Sequence, residues 1–332
     1  MINIMKPLES EVTKGLSGKV VFIYGGNRTG KTTNATKAPK PLVLACERGL
    51  NAIGGIKYFP IEKWLDIDAL VDQLVENKDE IIKQDLYRTI IIDGIDKFCE
   101  YADTYLCNMY NVRSIGDGNR GYGLWKEYGN LMSKLITKLT NCGFTVIFIG
   151  HDTEKEYGEG KSAYIKIVPR GDKRAWEPIC DIADIIGYAR VIEDGKPANL
   201  YIEESPSYVA GSRFKFLTPI IEDWSYEKLD IAVKEAIEKE EKTSGIEAID
   251  YKDSAMAKEK VVVPLEDIKT EIRTLVEKMA ASDPNLVEYQ DILSSLLGAE
   301  YTEFKVADCT EKQRDLLETI LAKVKKVVKK AK

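Results

Sequence analysis

The sequence predicts an α/β protein with a mainly parallel sheet, an antiparallel late edge to that sheet, and a small all-α module at the C-terminus. Three observations predict this fold class. Apolar, β-branched runs alternate with amphipathic helical segments over residues 19–191, which is typical of parallel strands joined by crossover helices. An Asp-Gly turn at 194–195 joins two later apolar runs as a hairpin. From residue 263 onward, apolar residues recur at helical spacing.

A glycine-rich segment follows the first predicted strand, which covers residues 19–24. It reads Gly-Gly-Asn-Arg-Thr-Gly-Lys-Thr at 25–32 and precedes a short predicted helix at 32–38, which Pro39 and Pro41 stop. A strand, then G-x-x-x-x-G-K-[ST], then a helix is the P-loop arrangement. The glycines let successive N–H groups point at phosphate oxygens, and the helix N-terminus adds its partial positive charge.

The side chains of this segment have distinct expected roles. Lys31 is expected to reach the β- and γ-phosphates of a nucleoside triphosphate, and the Thr32 hydroxyl to ligate Mg²⁺. The predicted nucleotide-binding residues are Gly25, Gly26, Asn27, Arg28, Thr29, Gly30, Lys31, Thr32 and Thr33.

An apolar strand predicted at 89–93 ends in Asp93. A buried parallel strand that delivers an aspartate to the Mg²⁺ shell is the Walker B pattern, so Asp93 joins Thr32 as a predicted metal ligand. Many AAA-type ATPases use a glutamate at the next position as the base that activates water. Gly94 stands there in this chain, so the base is expected from elsewhere.

The other elements of the core follow from periodicity. Further strands are predicted at 41–46, 57–59 and 144–149, and the helices among them at 61–76, 97–110 and 124–143. The late edge is predicted from strands at 184–191, 199–203 and 212–216, before a closing helix at 223–241. Three amphipathic stripes then predict three short helices that end in a lysine cluster at 323–332. The predicted division is a nucleotide-binding domain at 1–242, a linker at 243–262 and a helical module at 263–332.

His151, the one histidine of the chain, follows the strand predicted at 144–149. It should therefore lie at the same sheet edge as the P-loop and Asp93, where open α/β sheets bind ligands. Two interpretations stay open at this point. His151 is either a catalytic sensor of the γ-phosphate or the attacking water, or a histidine that caps a loop by hydrogen bonds.

Two polar segments are predicted as loops at this edge, 111–123 and 152–176. The second interleaves aromatic residues with basic ones, namely Tyr157, Tyr164 and Trp176 with Lys155, Lys161, Lys166, Arg170, Lys173 and Arg174. Such a mixture suits single-stranded nucleic acid, since charges follow the backbone and rings stack on bases. Acidic residues are mixed in, so a solvated β-hairpin is an equal alternative.

Composition sets outer limits on function. The chain of 332 residues has a net charge of −6, so any nucleic-acid surface must be local. Its six cysteines form no C-x-x-C pair, which argues against a structural zinc site and for reduced thiols. No apolar run approaches the roughly 20 residues that span a membrane, and no signal-peptide core is present. We expect a cytoplasmic protein without a membrane partner, in the host cytoplasm if the chain is phage-encoded.

The order of these landmarks resembles the RecA-like branch of P-loop ATPases, which implies ATP as the nucleotide and Mg²⁺ as its ion. In that branch the water-activating glutamate ends the strand after the P-loop helix, so Glu47, after the run at 42–46, is implied as the general base. On spacing alone Glu47 is equally a surface acid at a strand end. With Glu47, the predicted catalytic residues are Lys31, Asp93 and His151.

The chain is similar, more closely, to the phage-encoded Sak-type single-strand annealing ATPases. The resemblance covers about residues 18–240 and rests on the segments 23–33, 38–41, 92–96, 121–125, 149–151 and 183–184. It implies ATP-dependent binding of single-stranded DNA and strand annealing in recombination, beside a single-strand DNA-binding protein. Other copies of the chain are a separate expectation, by a route other than the RecA filament. RecA itself has a glutamine where His151 stands and a larger N-terminal polymerisation segment. Arg213 and Lys215 are implied as trans-acting cations.

Two other functions remain open from the sequence. The chain is alternatively a DNA-binding module that ATP switches with negligible hydrolysis. It is alternatively an AAA-type loader or partner of a helicase, an interpretation that Gly94 weakens.

Overall fold

The computed structural model describes residues 9–245, 247–254, 263–281 and 283–330. The chain divides into two compact units, one of which spans residues 10–259 and the other of which contains the helices from Leu265 onward. The larger unit carries every element around the P-loop.

A ten-stranded sheet forms the centre of the larger unit. Its strands in chain order are β1 Val20–Gly25, β2 Pro41–Ala45, β3 Lys57–Pro60, β4 Thr89–Asp93, β5 Thr145–Tyr157, β6 Tyr164–Pro169, β7 Ile185–Arg190, β8 Asn199–Tyr201, β9 Gly211–Ser212 and β10 Ile220–Ile221. The order across the sheet is β3-β2-β4-β5-β1-β7-β8-β10, and β6 and β9 pair with β5 and β7. Strands β1 to β5 and β7 are parallel to their neighbours in the core, and β8 to β10 are antiparallel, which confirms the predicted fold class.

Helices cover both faces of this sheet. They are α1 Lys31–Ala35, α2 Trp64–Glu76, α3 Lys78–Lys83, α4 Ile95–Tyr110, α5 Trp125–Thr140, α6 Lys173–Ile182 and α7 Tyr226–Ser244. Alternate residues of β1 point to opposite faces: Phe22 packs with α2 to α6, and Ile23 packs with α1 and α7. The strands are buried on both faces, which explains why their sequences are continuous apolar runs.

The parallel register places the C-terminal ends of β1, β2 and β4 beside residues 149–151 of β5. Gly25 is paired with His151, and Asp93 is paired with both Ala45 and Ile149. The P-loop, the end of β2, Asp93 and His151 therefore share one edge of the sheet, as the alternation of strands and helices predicts.

The prediction of a loop at 152–176 is wrong. Strand β5 continues through Tyr157 and pairs antiparallel with β6, after which α6 begins at Lys173. The hairpin alternative describes this region. Trp176 is buried in α6, so it cannot stack on a nucleic acid, and the side chain of Lys161 lies outside the described residues.

The predicted strand at 212–216 is reduced to β9, because the chain turns away after Ser212. The Phe214 N–H donates to the Ser212 hydroxyl at 3.0 Å, and the Arg213 guanidinium donates to the Asp181 carbonyl at 2.6 Å. These local bonds replace the ladder that alternation alone suggested.

The predicted linker at 243–262 is partly structured. Gly245 ends α7 in the left-handed conformation, and Ile249 then pairs with Thr13. The Tyr251 hydroxyl donates to the Gly143 carbonyl. Residues 243–245 and 247–254 therefore belong to the larger unit, whereas residues 255–262 lie outside the described part of the chain.

Among the described residues of the smaller unit are three α-helices, as the three stripes predict: α8 Leu265–Ala280, α9 Val287–Leu297 and α10 Arg314–Lys330. They enclose a core of their own around Ile272, Leu317 and Ile320. The last two residues, Ala331 and Lys332, lie outside the described residues. None of the described helices combines the length and apolarity that crossing a lipid bilayer requires.

Candidate nucleotide site

The P-loop backbone depends on glycine at its two ends. Gly25 has φ 154°, and a Cβ there would collide with the Ala189 carbonyl oxygen. Gly30, at the N-cap of α1, has φ 76° in the left-handed region. Arg28 also has a positive φ, 63°, an uncommon conformation for a residue with a side chain. The loop thus holds a sharply curved backbone at a helix N-terminus, as phosphate binding requires.

Lys31 is buried inside this curve. Its Nζ donates to the carbonyl oxygens of Gly25 and Gly26 at 2.9 and 2.8 Å. Burial lowers the pKa of the Lys31 amine, and the carboxylates of Asp152 and Asp93 act in the opposite direction. A desolvated cation that is held by carbonyl oxygens at the centre of the loop is well placed to exchange these partners for phosphate oxygens.

Trp224 is a site residue that sequence reasoning missed. Its indole Nε1 donates to the Thr29 carbonyl at 3.1 Å, and its own carbonyl accepts from the Asn34 side chain at 3.1 Å. Trp224 therefore ties the P-loop and α1 to the segment before α7. Trp224 and Thr29 are 195 residues apart in the chain, so no local sequence pattern could indicate this contact.

Thr32 and Asp93, the predicted metal ligands, are brought together. The Thr32 hydroxyl donates to Asp93 Oδ2 at 2.9 Å. Burial raises the pKa of the Asp93 carboxyl, and the bond from Thr32 and the charge of Lys31 act in the opposite direction. A hydroxyl and a buried carboxylate beside a phosphate loop are oxygen donors that suit Mg²⁺. The absence of a side chain at Gly49 leaves space beside Thr32 and Asp93, because a Cβ on residue 49 would lie 3.2 Å from Asp93 Oδ2.

Glu47 lies beside Asp93 because β2 and β4 are neighbours. The Cys46 N–H donates to the Asp93 carbonyl at 2.9 Å, and Glu47 follows directly. Gly94 has φ 101°, and a Cβ there would be 2.7 Å from Glu47 Cγ. The position after Asp93 thus has no room for a second acid, since the Glu47 side chain already occupies that space.

His151 contacts two carboxylates through one ring nitrogen. Its Nδ1 lies 3.2 Å from each oxygen of Asp96 and 3.6 Å from Glu47 Oε1. Asp96, in the first turn of α4, is a second residue that sequence reasoning missed. The sequence feature that could have indicated Asp96 is its position as an acidic residue three residues after Asp93. Burial works to raise the pKa of Asp96, but the hydrogen bond and charge of His151 bring that pKa below its ordinary value.

Other predicted residues are placed apart from this cluster. Asn27, Arg28 and Thr33 are exposed on the P-loop and the first turn of α1. Arg213 lies at the opposite edge of the sheet, where its N–H donates to the Asp184 carbonyl at the start of β7. Within one copy of the chain, Arg213 and its neighbour Lys215 are therefore not part of the site.

Comparison with known proteins agrees with this geometry. The family model AAA_24, described as an AAA domain, matches residues 17–214. The SPbeta prophage-derived uncharacterized protein YorG of Bacillus subtilis (strain 168) is 36% identical over 329 residues, which are 98% of each chain. The matches support a P-loop ATPase with a prophage relative, and they do not single out the Sak-type annealing proteins. The chain belongs to the AAA_24 family of P-loop ATPase domains.

Proposed function

We propose that the chain is a Mg²⁺-dependent ATPase. Lys31 and the P-loop N–H groups hold the phosphates, and Thr32 and Asp93 hold the ion. Mg²⁺, when bound, neutralises charge on the phosphate oxygens. Glu47 accepts the proton of the attacking water, and His151 positions Glu47. The observation that carries this proposal is that Glu47 fills the space beside Gly94, next to the Thr32–Asp93 pair.

The pH dependence of turnover should report on Glu47. Burial and the charge of Asp96 raise the pKa of the Glu47 carboxyl, whereas the charge of His151 lowers it. A base works only when deprotonated, so we expect turnover to fall on the acid side at a pH above the pKa of an ordinary glutamate, about 4.3. His151→Gln removes the lowering influence and should move this acid limb to higher pH. A kcat–pH profile of both proteins measures it, and a limb that moves to lower pH contradicts the assignment.

We further propose that single-stranded DNA binds the hairpin of β5 and β6. Paired residues share a face of a sheet, so Lys155 lies opposite Lys166 and Tyr157 opposite Tyr164 on one face. Glu154 and Glu156 project from the other face. The mixed composition of the segment is therefore sorted into a basic, aromatic side and an acidic side.

The basic side has features that suit an anionic polymer with stacked bases. The rings of Tyr157 and Tyr164 are stacked at 5.8 Å, and Lys155 Nζ lies 5.7 Å from the Tyr157 ring centroid. Two lysines directly opposite each other repel, and a phosphate bound between them would relieve that repulsion. Tyr164 is 49% exposed and thus accessible to a base.

The segment at 111–123 offers a second stacking surface. Tyr122 is 82% exposed between two glycines with positive φ, and Arg120 beside it is exposed with φ 57°. The Arg174 guanidinium lies 4.7 Å from the ring centroid of Trp125, which begins α5 just after this segment, and so connects the start of α5 to α6. We propose that both surfaces hold the same DNA strand.

Coupling between the two sites would act through β5. This strand contains His151 at the nucleotide site and continues without interruption to Lys155 and Tyr157 in the hairpin. A shift of His151 with the nucleotide state would therefore move the hairpin directly. Because the sequence resembles the Sak-type annealing ATPases, we propose that the coupled activity assists strand annealing in recombination. Its partners would be a single-strand DNA-binding protein and further copies of the chain.

ATP hydrolysis with and without single-stranded DNA, at two salt concentrations, tests this function. We expect DNA to stimulate turnover and the stimulation to weaken at high salt. Lys31→Ala should remove turnover under all conditions. Tyr164→Ala should weaken DNA binding by about tenfold or more, because a stacking ring is lost. Ile165→Ala, at an exposed neighbour on the acidic side, is the matched control and should bind DNA normally.

The outcomes separate the remaining functions. Tight ATP binding without measurable turnover, with or without DNA, would favour a DNA-binding module that ATP switches. A rate of ATP hydrolysis that is the same with and without DNA would favour a protein, rather than DNA, as the main binding partner. That partner could be a helicase, with the chain as its loader, and an AAA domain is compatible with this second candidate as it is with the ATPase itself. A stable complex with a replicative helicase, in the presence of ATP, would be its test.

A further inference from the structure

Glu47, Asp96 and His151 form a cluster of one nitrogen and two carboxylate donors. They come from three separate elements, namely the end of β2, the first turn of α4 and the middle of β5. One ligand atom from each can be chosen so that all three lie within 4.8 Å of one another. Both carboxylates approach the same atom, Nδ1 of His151, at 3.2 and 3.6 Å.

These separations match those between ligands of one metal ion. Zinc binds imidazole nitrogen and carboxylate oxygen at about 2.0–2.2 Å, which places neighbouring ligands of a tetrahedral ion about 3.3–3.6 Å apart. An ion could therefore replace the proton on Nδ1 with small movements of the side chains. Gly94 helps to hold the arrangement, since its lack of a Cβ lets Glu47 pack against the start of α4.

Local charge also favours a cation at this place. The cluster brings two carboxylates to one neutral or singly charged imidazole, so its own side chains carry a net negative charge. The partly buried carboxylates of Glu47 and Asp96 both face the same imidazole nitrogen, Nδ1 of His151. A divalent ion would satisfy both at once.

We propose that Glu47, Asp96 and His151 bind a divalent transition-metal ion such as Zn²⁺ or Co²⁺, at a position separate from the Mg²⁺ place at Thr32 and Asp93. The imidazole nitrogen gives the selectivity, because Mg²⁺ prefers oxygen ligands and Zn²⁺ accepts both. Binding releases the Nδ1 proton. A further consequence, which rests on the proposed ATPase function, is inhibition: Glu47 cannot accept a proton from water while it ligates the metal.

The single histidine allows a direct test on the full-length, untagged chain without nucleotide. After ¹⁵N labelling of histidine, every imidazole signal comes from His151. Titration with Zn²⁺ should shift the Nδ1 signal in a saturable way at one equivalent. The proposal would be overturned if Zn²⁺ binding saturates without a change in the chemical shift of His151 Nδ1. It would also be overturned if His151→Ala binds Zn²⁺ as tightly as the unsubstituted chain.

Two matched substitutions locate the site. Asp96→Asn should weaken Zn²⁺ binding at least tenfold, whereas Asp93→Asn, the same change three residues earlier, should leave it within threefold. Equal losses in both variants would place the ion at the Mg²⁺ position and overturn the separate site. Co²⁺ absorption checks the donors, since an intense near-ultraviolet thiolate band would assign the ion to cysteine instead. Circular dichroism establishes that each variant is folded.

Discussion

Glu47→Gln is expected to leave ATP binding intact and to reduce turnover by about 10²–10⁴-fold, the usual contribution of a general base. Glutamine keeps the size of the side chain that packs against Gly94, so the P-loop and the Thr32–Asp93 pair should be unchanged. It cannot accept the proton of the attacking water. Measurement of nucleotide affinity and single-turnover hydrolysis in the same preparation separates the two effects.

The matched control is Glu76→Gln, at an exposed position near the end of α2, which should behave as the unsubstituted chain in both assays. Turnover that survives in Glu47→Gln would remove Glu47 from the role of base. Loss of nucleotide affinity in that variant would instead give Glu47 a part in binding, and the hydrolysis data alone would then decide nothing about proton transfer.

Gly94→Ala is expected to have a comparable effect on activity through geometry alone. An L-residue at φ 101° is strained, and the new Cβ would lie 2.7 Å from Glu47 Cγ. We expect the free energy of unfolding to fall by about 1–3 kcal/mol and Glu47 to be displaced from the site. Turnover should fall with it, although no ionisable group is changed. Denaturant unfolding and hydrolysis assays on the same variant measure both.

Gly129→Ala is the control for this substitution. Gly129 lies within α5, and a Cβ there meets nothing within 4 Å, so alanine should stabilise the chain by about 0.5–1 kcal/mol and leave turnover unchanged. A Gly94→Ala variant with normal stability and normal turnover would mean that Glu47 does not depend on this contact for its position.

Much of the core was predictable because its signals are local. The P-loop spacing, the Asp93 that ends β4 and the apolar runs of the parallel strands each occupy a few consecutive residues. Strand alternation then placed His151 at the edge of the P-loop, and the structure agrees. Sequence reasoning was weaker where two local interpretations competed: segment 152–176 contains enough polar residues for a loop, but its strand pairing extends β5 instead.

By itself, the sequence determined the class of protein, an α/β P-loop ATPase fold with a helical C-terminal unit, because periodicity and motif spacing are properties of adjacent residues. Only the tertiary structure decided that Asp96 joins Glu47 and His151, that Trp224 supports the P-loop, and that lysines and tyrosines share one hairpin face. The physical reason is that these contacts depend on strand order and register. Residues far apart in the chain meet only when the sheet brings their strand ends to one edge.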